Sequence, residues 1–169
     1  MAPIPKRWSR VSIVLAIVCI SVAICFAIAR QLSRGGPTII QGAQPISINE
    51  VRKVFPPGVP DSAKNIHYAV YAEYVAFLEC VRFDAPVDDC IAHAQQVLAQ
   101  FNAQHPNAQI QGLRPIKETV MIDEQSPLSL PWFDPQSIKT GLVGGERGSH
   151  QPSIWIDAEK GIFYYHYSD

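Results

Sequence analysis

The chain has 169 residues, of which 47% are hydrophobic and 17% charged, and its formal net charge at pH 7 is −1. This length fits one globular domain plus a short extra segment, and the apolar content excludes a disordered chain. Four of the 14 Lys and Arg residues flank an apolar run near the N-terminus. The rest of the chain then has ten basic residues against 15 Asp and Glu residues, a net charge of 10 − 15 = −5. Nucleic acid is excluded as a partner, because its binding depends on Lys and Arg neutralising phosphates.

Residues 11–29 form an apolar run without a charged side chain. A helix of this length spans roughly 28 Å, which matches the hydrocarbon core of a bilayer. Lys6, Arg7 and Arg10 precede the run, whereas only Arg30 and Arg34 follow it closely. This excess of positive charge on the N-terminal side predicts a cytoplasmic N-terminus. We therefore predict a single-pass inner-membrane protein with these parts: a basic cytoplasmic N-terminus at 1–10, a transmembrane helix at 11–29, a flexible linker at 30–46 and an extracytoplasmic domain at 47–169.

An alternative reading of the same segment is a cleaved signal peptide. Ala27-Ile28-Ala29 matches the small-residue pattern of a cleavage site, and a basic region precedes the apolar run. Cleavage near Ala29 would make the domain secreted or periplasmic. The run is long for a signal peptide and lacks a polar stretch before the cut, so the anchor is favoured.

Residues 66–83 are dense in β-branched and aromatic types, which predicts two strands with a reversal near Tyr71–Glu73. A single helix remains an alternative, since no Gly or Asn marks the turn and apolar residues also recur at helical spacing. Before this region, residues 46–55 are compatible with a short element, and the proline-rich stretch that follows excludes regular structure.

The strongest helix signal in the domain follows Asp84, which we expect to cap the helix, with Pro86 in the first turn. Asp88 and Asp89 lie where the helix dipole favours negative charge. Apolar residues then recur at i, i+3, i+4 and i+7, which predicts one buried face ending near Asn102. The residues of that face are Val87, Cys90, Ile91, Ala94, Leu98 and Phe101.

Beyond this helix, the alternation at 118–123 predicts a strand, and Trp132-Phe133 is expected to pack into the core. Asp134-Pro135 predicts a short helix that ends at Gly141, and the glycine-rich stretch 144–148 predicts a mobile connection.

The clearest hairpin signal is at the C-terminus, where strands at 153–157 and 162–167 flank a turn that ends in Gly161. Two hairpins, a further strand, one long helix and one short helix predict an α+β domain with a small antiparallel sheet and helices on one face.

Several segments of the chain carry a resemblance to known proteins: the proline-rich stretch at 56–60, Ser62–Ile66, Val81–Pro86, Trp132–Pro135, Ile154–Asp157 and Phe163–Tyr165. With these segments the chain resembles an uncharacterised family of small bacterial exported or membrane-anchored proteins. The resemblance covers roughly residues 55–169 and implies an extracytoplasmic bacterial protein, with no activity attached.

The sequence nominates no catalytic, cofactor-binding or metal-binding residue. The five histidines are scattered, with no pair at the i, i+2 or i, i+4 spacing that lets two imidazoles share a metal. A site assembled only by folding would draw on a set of candidate ionisable residues: His67, Glu79, His150, Asp157 and His166.

Cys80 and Cys90 are a candidate disulfide, because they lie on consecutive elements and export would place them where disulfides persist. The alternative is that both are small apolar core residues.

We predict a non-catalytic interaction module, with the bilayer and another envelope protein as partners, and an exposed row of tyrosines at 163–167 as the contact surface. The alternative function is a small extracytoplasmic hydrolase or metal-dependent enzyme built from dispersed His and Asp residues. A pocket holding two or more of the candidate ionisable residues would favour the enzyme.

Overall fold

The computed structural model describes residues 38–41, 44–73, 76–108, 110–117, 130–145 and 150–169. All of them belong to one compact unit, Pro37–Asp169. The predicted transmembrane helix at 11–29 lies outside the described residues. Within the described ranges, no helix is long and apolar enough to cross a membrane.

The described residues form a seven-stranded antiparallel sheet and two α-helices, so the predicted α+β class is confirmed. The strands are β1 (Thr38–Gln41), β2 (Lys64–Glu73), β3 (Ala76–Asp84), β4 (Arg114–Pro115), β5 (Gly141–Gly145), β6 (Gln151–Asp157) and β7 (Ile162–Ser168). The helices are α1 (Ile48–Val54) and α2 (Val87–Gln104). The strand order is β1-β2-β3-β7-β6-β5-β4, so hairpins β2–β3 and β6–β7 meet at the centre of the sheet.

The two strands predicted within residues 66–83 are confirmed as hairpin β2–β3, and the alternative of a single helix is wrong. The reversal lies later than predicted, because Tyr71 is still paired with Leu78 and the last pair is Glu73 with Ala76. The aromatic and β-branched residues therefore continue the strand through the segment where the turn was expected.

The C-terminal hairpin β6–β7 is confirmed with nearly the predicted bounds. Asp157 Oδ1 accepts hydrogen bonds from the backbone amides of Glu159 and Lys160, at 3.0 and 2.9 Å. Gly161 has a φ of +65°, a conformation that favours glycine and that returns the chain into β7. The turn is thus fixed by one carboxylate and one glycine.

Helix α2 occupies the predicted segment but begins differently. Asp84 does not cap it, because that residue ends β3 and its Oδ1 is 2.7 Å from Arg82 Nη2. Pro86 is the residue before the first turn, without a side-chain cap. Its buried face differs slightly from the predicted one, because His93 and Val97 are buried in addition to three predicted residues. The buried residues are Cys90, His93, Ala94, Val97 and Leu98.

Helix α1 is short, and a capping box fixes its start. Ser47 Oγ accepts from the Glu50 backbone amide at 3.3 Å, and Glu50 Oε2 accepts from the Ser47 amide at 2.8 Å. Val51 and Phe55 are fully buried and attach the helix to the core. The Phe55 ring meets Tyr165 of β7 edge-on, with centroids 4.9 Å apart.

Both helices cover one side of the sheet, which we call the helix face. Its core includes Val81 and Phe83 of β3, Ile154 of β6 and Phe163 of β7. We call the other side of the sheet the opposite face. Residues around Trp132 and Phe133 pack there against Ala69, Leu78 and Cys80, which confirms that this pair enters a hydrophobic cluster.

Two expectations for the connecting segments are wrong. Thr38–Gln41, predicted as part of the linker, pairs with β2 as an edge strand. The short helix predicted from Asp134 to Gly141 is a single 3₁₀ turn, Pro135–Ser137, because Ile138 is already extended and Gly141 begins β5.

The glycine-rich stretch predicted to be mobile is partly a strand. A Cβ on Gly145 would lie 1.9 Å from the Pro152 carbonyl oxygen, and Gly145 has a φ of +79°. Glycine is thus required here by the close approach of β6, and it does not mark a loop. The predicted strand at 118–123 and residues 146–149 lie outside the described residues.

A candidate ligand-binding cleft

Folding does not gather the candidate histidines into one site. His67 and His166 lie on the opposite face, where His67 stacks on Trp132 with ring centroids 5.2 Å apart. His166 lies 6.4 Å from the ring centroid of Phe133. Burial lowers the pKa of both imidazoles, which favours their neutral forms. Both rings therefore pack against aromatic side chains, and within the described residues the buried Nδ1 of His67 has no hydrogen-bond partner.

His150 and Asp157 lie at opposite ends of β6. His150 comes directly before the strand, and its Nδ1 contacts the carboxylate of Asp169. Asp157 ends the strand and is only 3% exposed, with its Oδ1 accepting from two amides of the turn. A grouping of His150, His166 and Asp157 is therefore not formed.

Glu79 is the exception among the candidate ionisable residues, because it lines a cavity. It lies on β3 at the same alternation as Phe77, Val81 and Phe83, so its side chain belongs to the helix face. A carboxyl group on the apolar side of a central strand is unusual, because burying a charge is costly without a partner.

The cavity, which we call the cleft, lies between the C-terminal half of α2 and the helix face, and its volume is about 630 Å³. Prolines after α1 and apolar residues of α2 form much of its walls. Its polar groups come from strands β2, β3 and β7 and from the end of α2, which contributes Gln100, Gln104 and His105. Such a mostly apolar concavity with few polar groups is typical of ligand sites. Its acidic and aromatic lining residues include Tyr68, Phe77, Glu79, Phe101, Tyr165 and Tyr167.

Glu79 is 7% exposed, and its Oε1 accepts a hydrogen bond from the Tyr68 hydroxyl at 3.0 Å. Burial raises the pKa of Glu79 to about 7, and the bond from Tyr68 lowers it in part. The group thus changes charge near neutral pH. Burial and the nearby carboxyl raise the pKa of Tyr68 and of Tyr165, so both phenols stay neutral.

The tyrosines near the C-terminus line this cleft or pack in the core, so the exposed row predicted at 163–167 is not formed. Phe163, Tyr164 and Tyr165 are all buried. Strand alternation sends Tyr164 to the opposite face, while Tyr165 and Tyr167 face the cleft. The Tyr167 ring meets Phe77 edge-on, with centroids 6.1 Å apart.

A second cavity, of about 390 Å³, lies between α2 and the proline-rich loop, and His93 is among its lining residues. The His93 ring is 7% exposed and meets Phe83 and Phe163 edge-on. Burial lowers its pKa to about 4, so the imidazole is neutral near pH 7. Within the described part of the chain, its buried Nε2 has no hydrogen-bond partner.

The predicted disulfide between Cys80 and Cys90 is not formed, since both thiols are free. Cys80 belongs to the cluster on the opposite face, whereas Cys90 of α2 belongs to the core of the helix face. The sheet therefore separates the two sulfur atoms. Burial raises the pKa of each thiol to about 12, which keeps both unreactive.

Among the residues described, no three His, Cys, Asp or Glu side chains converge as metal ligands. The sequence indicates Glu79 only as one of five scattered groups, and it indicates Tyr165 and Tyr167 only as members of an exposed row, not as the lining of a cleft. The available signal was a charge at an apolar position of an alternating strand. Comparison with protein-family models, curated proteins and solved structures finds no match.

Proposed function

We propose that this chain is a membrane-anchored extracytoplasmic binding domain that holds its ligand in the cleft and performs no reaction on it. The observation that carries the proposal is a cleft of about 630 Å³ in which, among the described residues, a single carboxyl group, that of Glu79, lines the wall. An anchor at 11–29 suits a domain that acts beside the membrane, as does the resemblance to small exported bacterial proteins.

The composition of the lining favours binding over turnover. Hydrolysis generally needs a nucleophile, a base that orients it and a donor for the developing charge. The cleft lining contains Glu79, but none of the other candidate ionisable residues. The other titratable groups in the described lining are three phenols, whose raised pKa values make them poor bases at neutral pH, and His105, an exposed residue at the end of α2.

The proposal is tested by blocking the cleft. Ala72 lines it and is half-buried, so Ala72→Trp should fill it, whereas Ala99→Trp adds the same ring at an exposed position of α2. A small-fragment library is screened against the full chain in lipid nanodiscs by ligand-observed NMR. Fragments should bind the parent and the Ala99→Trp variant and lose binding in the Ala72→Trp variant.

Two results would count against the proposal. Fragment binding that survives Ala72→Trp would place the ligand elsewhere on the molecule. Chemical conversion of a bound fragment that stops in a folded Glu79→Gln variant would favour the enzyme, with Glu79 as its acid or base. Membrane topology is checked separately, since protease added to spheroplasts should degrade the domain without lysis.

A further inference from the structure

We infer that the ligand of the cleft is an organic cation, an ammonium group on an apolar body, with the ammonium at Glu79 and the body against the surrounding aromatic rings. This inference rests on the proposed function and adds the chemical class of the ligand. Three properties of the described part of the cleft support it: a buried carboxyl group that no Lys or Arg pairs with, an aromatic lining, and the absence of Lys and Arg from that lining.

The first property is the incomplete pairing of Glu79. A carboxylate has about four acceptor positions, and the Tyr68 hydroxyl supplies one donor, at 3.0 Å from Oε1. Within the described residues, no Lys or Arg forms an ion pair with Glu79. A buried charge in this condition is stabilised strongly by a cation that arrives with its own N–H donors.

The second property is the aromatic lining. Phe77, Phe101, Tyr165 and Tyr167 border the same cleft as Glu79, and Tyr165 is only 6% exposed. The faces of aromatic rings attract cations and repel anions, and the attraction grows when water is excluded. The rings also bury the apolar part of the ligand. Carboxylate and rings together therefore select a cation over a neutral or anionic molecule of the same shape.

The third property is the charge of the lining, whose described residues include no Lys or Arg. The titratable groups that line the cleft with Glu79 are Tyr68 from β2, Tyr165 and Tyr167 from β7, and His105 at the end of α2; the loop after α1 and strand β6 contribute apolar residues. Burial raises the pKa of all three phenols, so they remain neutral from pH 5 to pH 8. The negative charge that binds the cation therefore comes from the ionised carboxylate of Glu79, and not from a phenol.

The inference thus predicts the pH dependence of binding. Because the pKa of Glu79 is about 7, affinity for an amine should be constant above that pH and weaken about tenfold for each pH unit below it. An aliphatic ammonium stays charged over this range, so the ligand does not contribute to the slope. In a His105→Gln variant the same dependence of amine affinity on pH should persist. That result would assign the pH dependence to Glu79 and not to His105.

The experiment uses three probes of one shape: phenethylamine, phenethyl alcohol and phenylacetate. Binding to the full chain in neutral phosphatidylcholine nanodiscs is measured by calorimetry, with empty nanodiscs as the blank. At pH 8 the amine should bind at least about tenfold more tightly than the alcohol, and phenylacetate should bind most weakly. Glu79→Gln should remove the preference for the amine and keep binding of the alcohol.

The matched control is Glu73→Gln, which removes the same charge from an exposed position of the neighbouring strand β2. It should retain the preference for the amine. Equal binding of the three probes would overturn the cation inference and leave the binding cleft in place. Both proposals would be overturned if none of the three probes bound at millimolar concentration and if the screened fragments still bound the Ala72→Trp variant.

Discussion

Replacing Glu79 with glutamine should change how the stability of the domain depends on pH. In the folded chain the pKa of Glu79 is raised from its ordinary value of 4.5 to about 7. The folded state therefore holds a proton that the unfolded chain releases, and the contribution of Glu79 to stability falls as pH rises from 4.5 to 7. A shift of this size corresponds to about 3 kcal/mol. Glutamine has the same shape and keeps an acceptor for Tyr68, but it has no such pH dependence.

The difference in unfolding free energy between Glu79→Gln and the parent should therefore grow by about 3 kcal/mol in favour of the variant between pH 4.5 and pH 7.5. Urea denaturation followed by tryptophan fluorescence measures it at each pH. Glu73→Gln, at an exposed position of the same hairpin, reports the effect of simply removing one negative charge. A Glu79→Gln difference that is independent of pH would refute the argument that this carboxyl group is buried at a cost.

Three further predictions follow from groups elsewhere in the fold. The pKa of His93 is lowered from 6.5 to about 4, so its contribution to stability is lost as pH falls through that range, and His93→Phe should gain about 3 kcal/mol over the parent on acidification from pH 6.5 to 4 in the same urea assay. Under denaturing conditions without reductant, alkylation and mass spectrometry should find Cys80 and Cys90 both labelled; a peptide pair joined through them would contradict the structure. Gly145→Ala should cost about 3 kcal/mol, measured by thermal unfolding, because its Cβ would clash with a carbonyl oxygen of β6. Gly112→Ala, whose Cβ meets nothing within 4 Å, should be nearly neutral.

Glu79 and His93 oppose each other in the parent protein. Both are 7% exposed, and each pKa is displaced by burial, the carboxyl upward and the imidazole downward. Between about pH 4.5 and 6.5 the loss of stability from one group as pH rises is offset by the gain from the other. A flat profile for the parent therefore carries little information, and the single variants are needed to reveal either group.

The elements predicted correctly are those whose signals are local. The hairpin β6–β7 has alternating apolar residues and Gly161 at the turn, and α2 has a helical apolar repeat after Pro86. Helix α1 was missed as a helix because it has only seven residues and two core side chains. Its capping box, Ser47 with Glu50, was the local signal available in the sequence.

The errors concern the faces of the sheet, which local patterns define poorly. Strand β3 is buried on both sides, so Cys80 and Val81 have equally apolar surroundings and the sequence does not show which one faces α2. The disulfide prediction assumed that consecutive elements bring Cys80 towards Cys90, whereas the register of β3 points it away. The same difficulty made Tyr164 and Tyr165 look like one exposed row, although they occupy opposite faces.

The cost of burying Glu79 is itself an argument for a ligand. A domain of this size is stable by only about 5–15 kcal/mol, so about 3 kcal/mol lost above pH 7 is a large fraction of the total. A glutamine at the same position would bond to Tyr68 without that loss, and a leucine would extend the apolar surface formed by Val81 and Phe83. Neither replacement would leave a negative charge in the lining of the cleft when the pH exceeds 7. A bound cation would restore the lost stability, because it binds only the folded state with its carboxylate ionised. The destabilising group and the proposed binding site are therefore the same residue, and a cationic ligand should raise the melting temperature more at pH 8 than at pH 5.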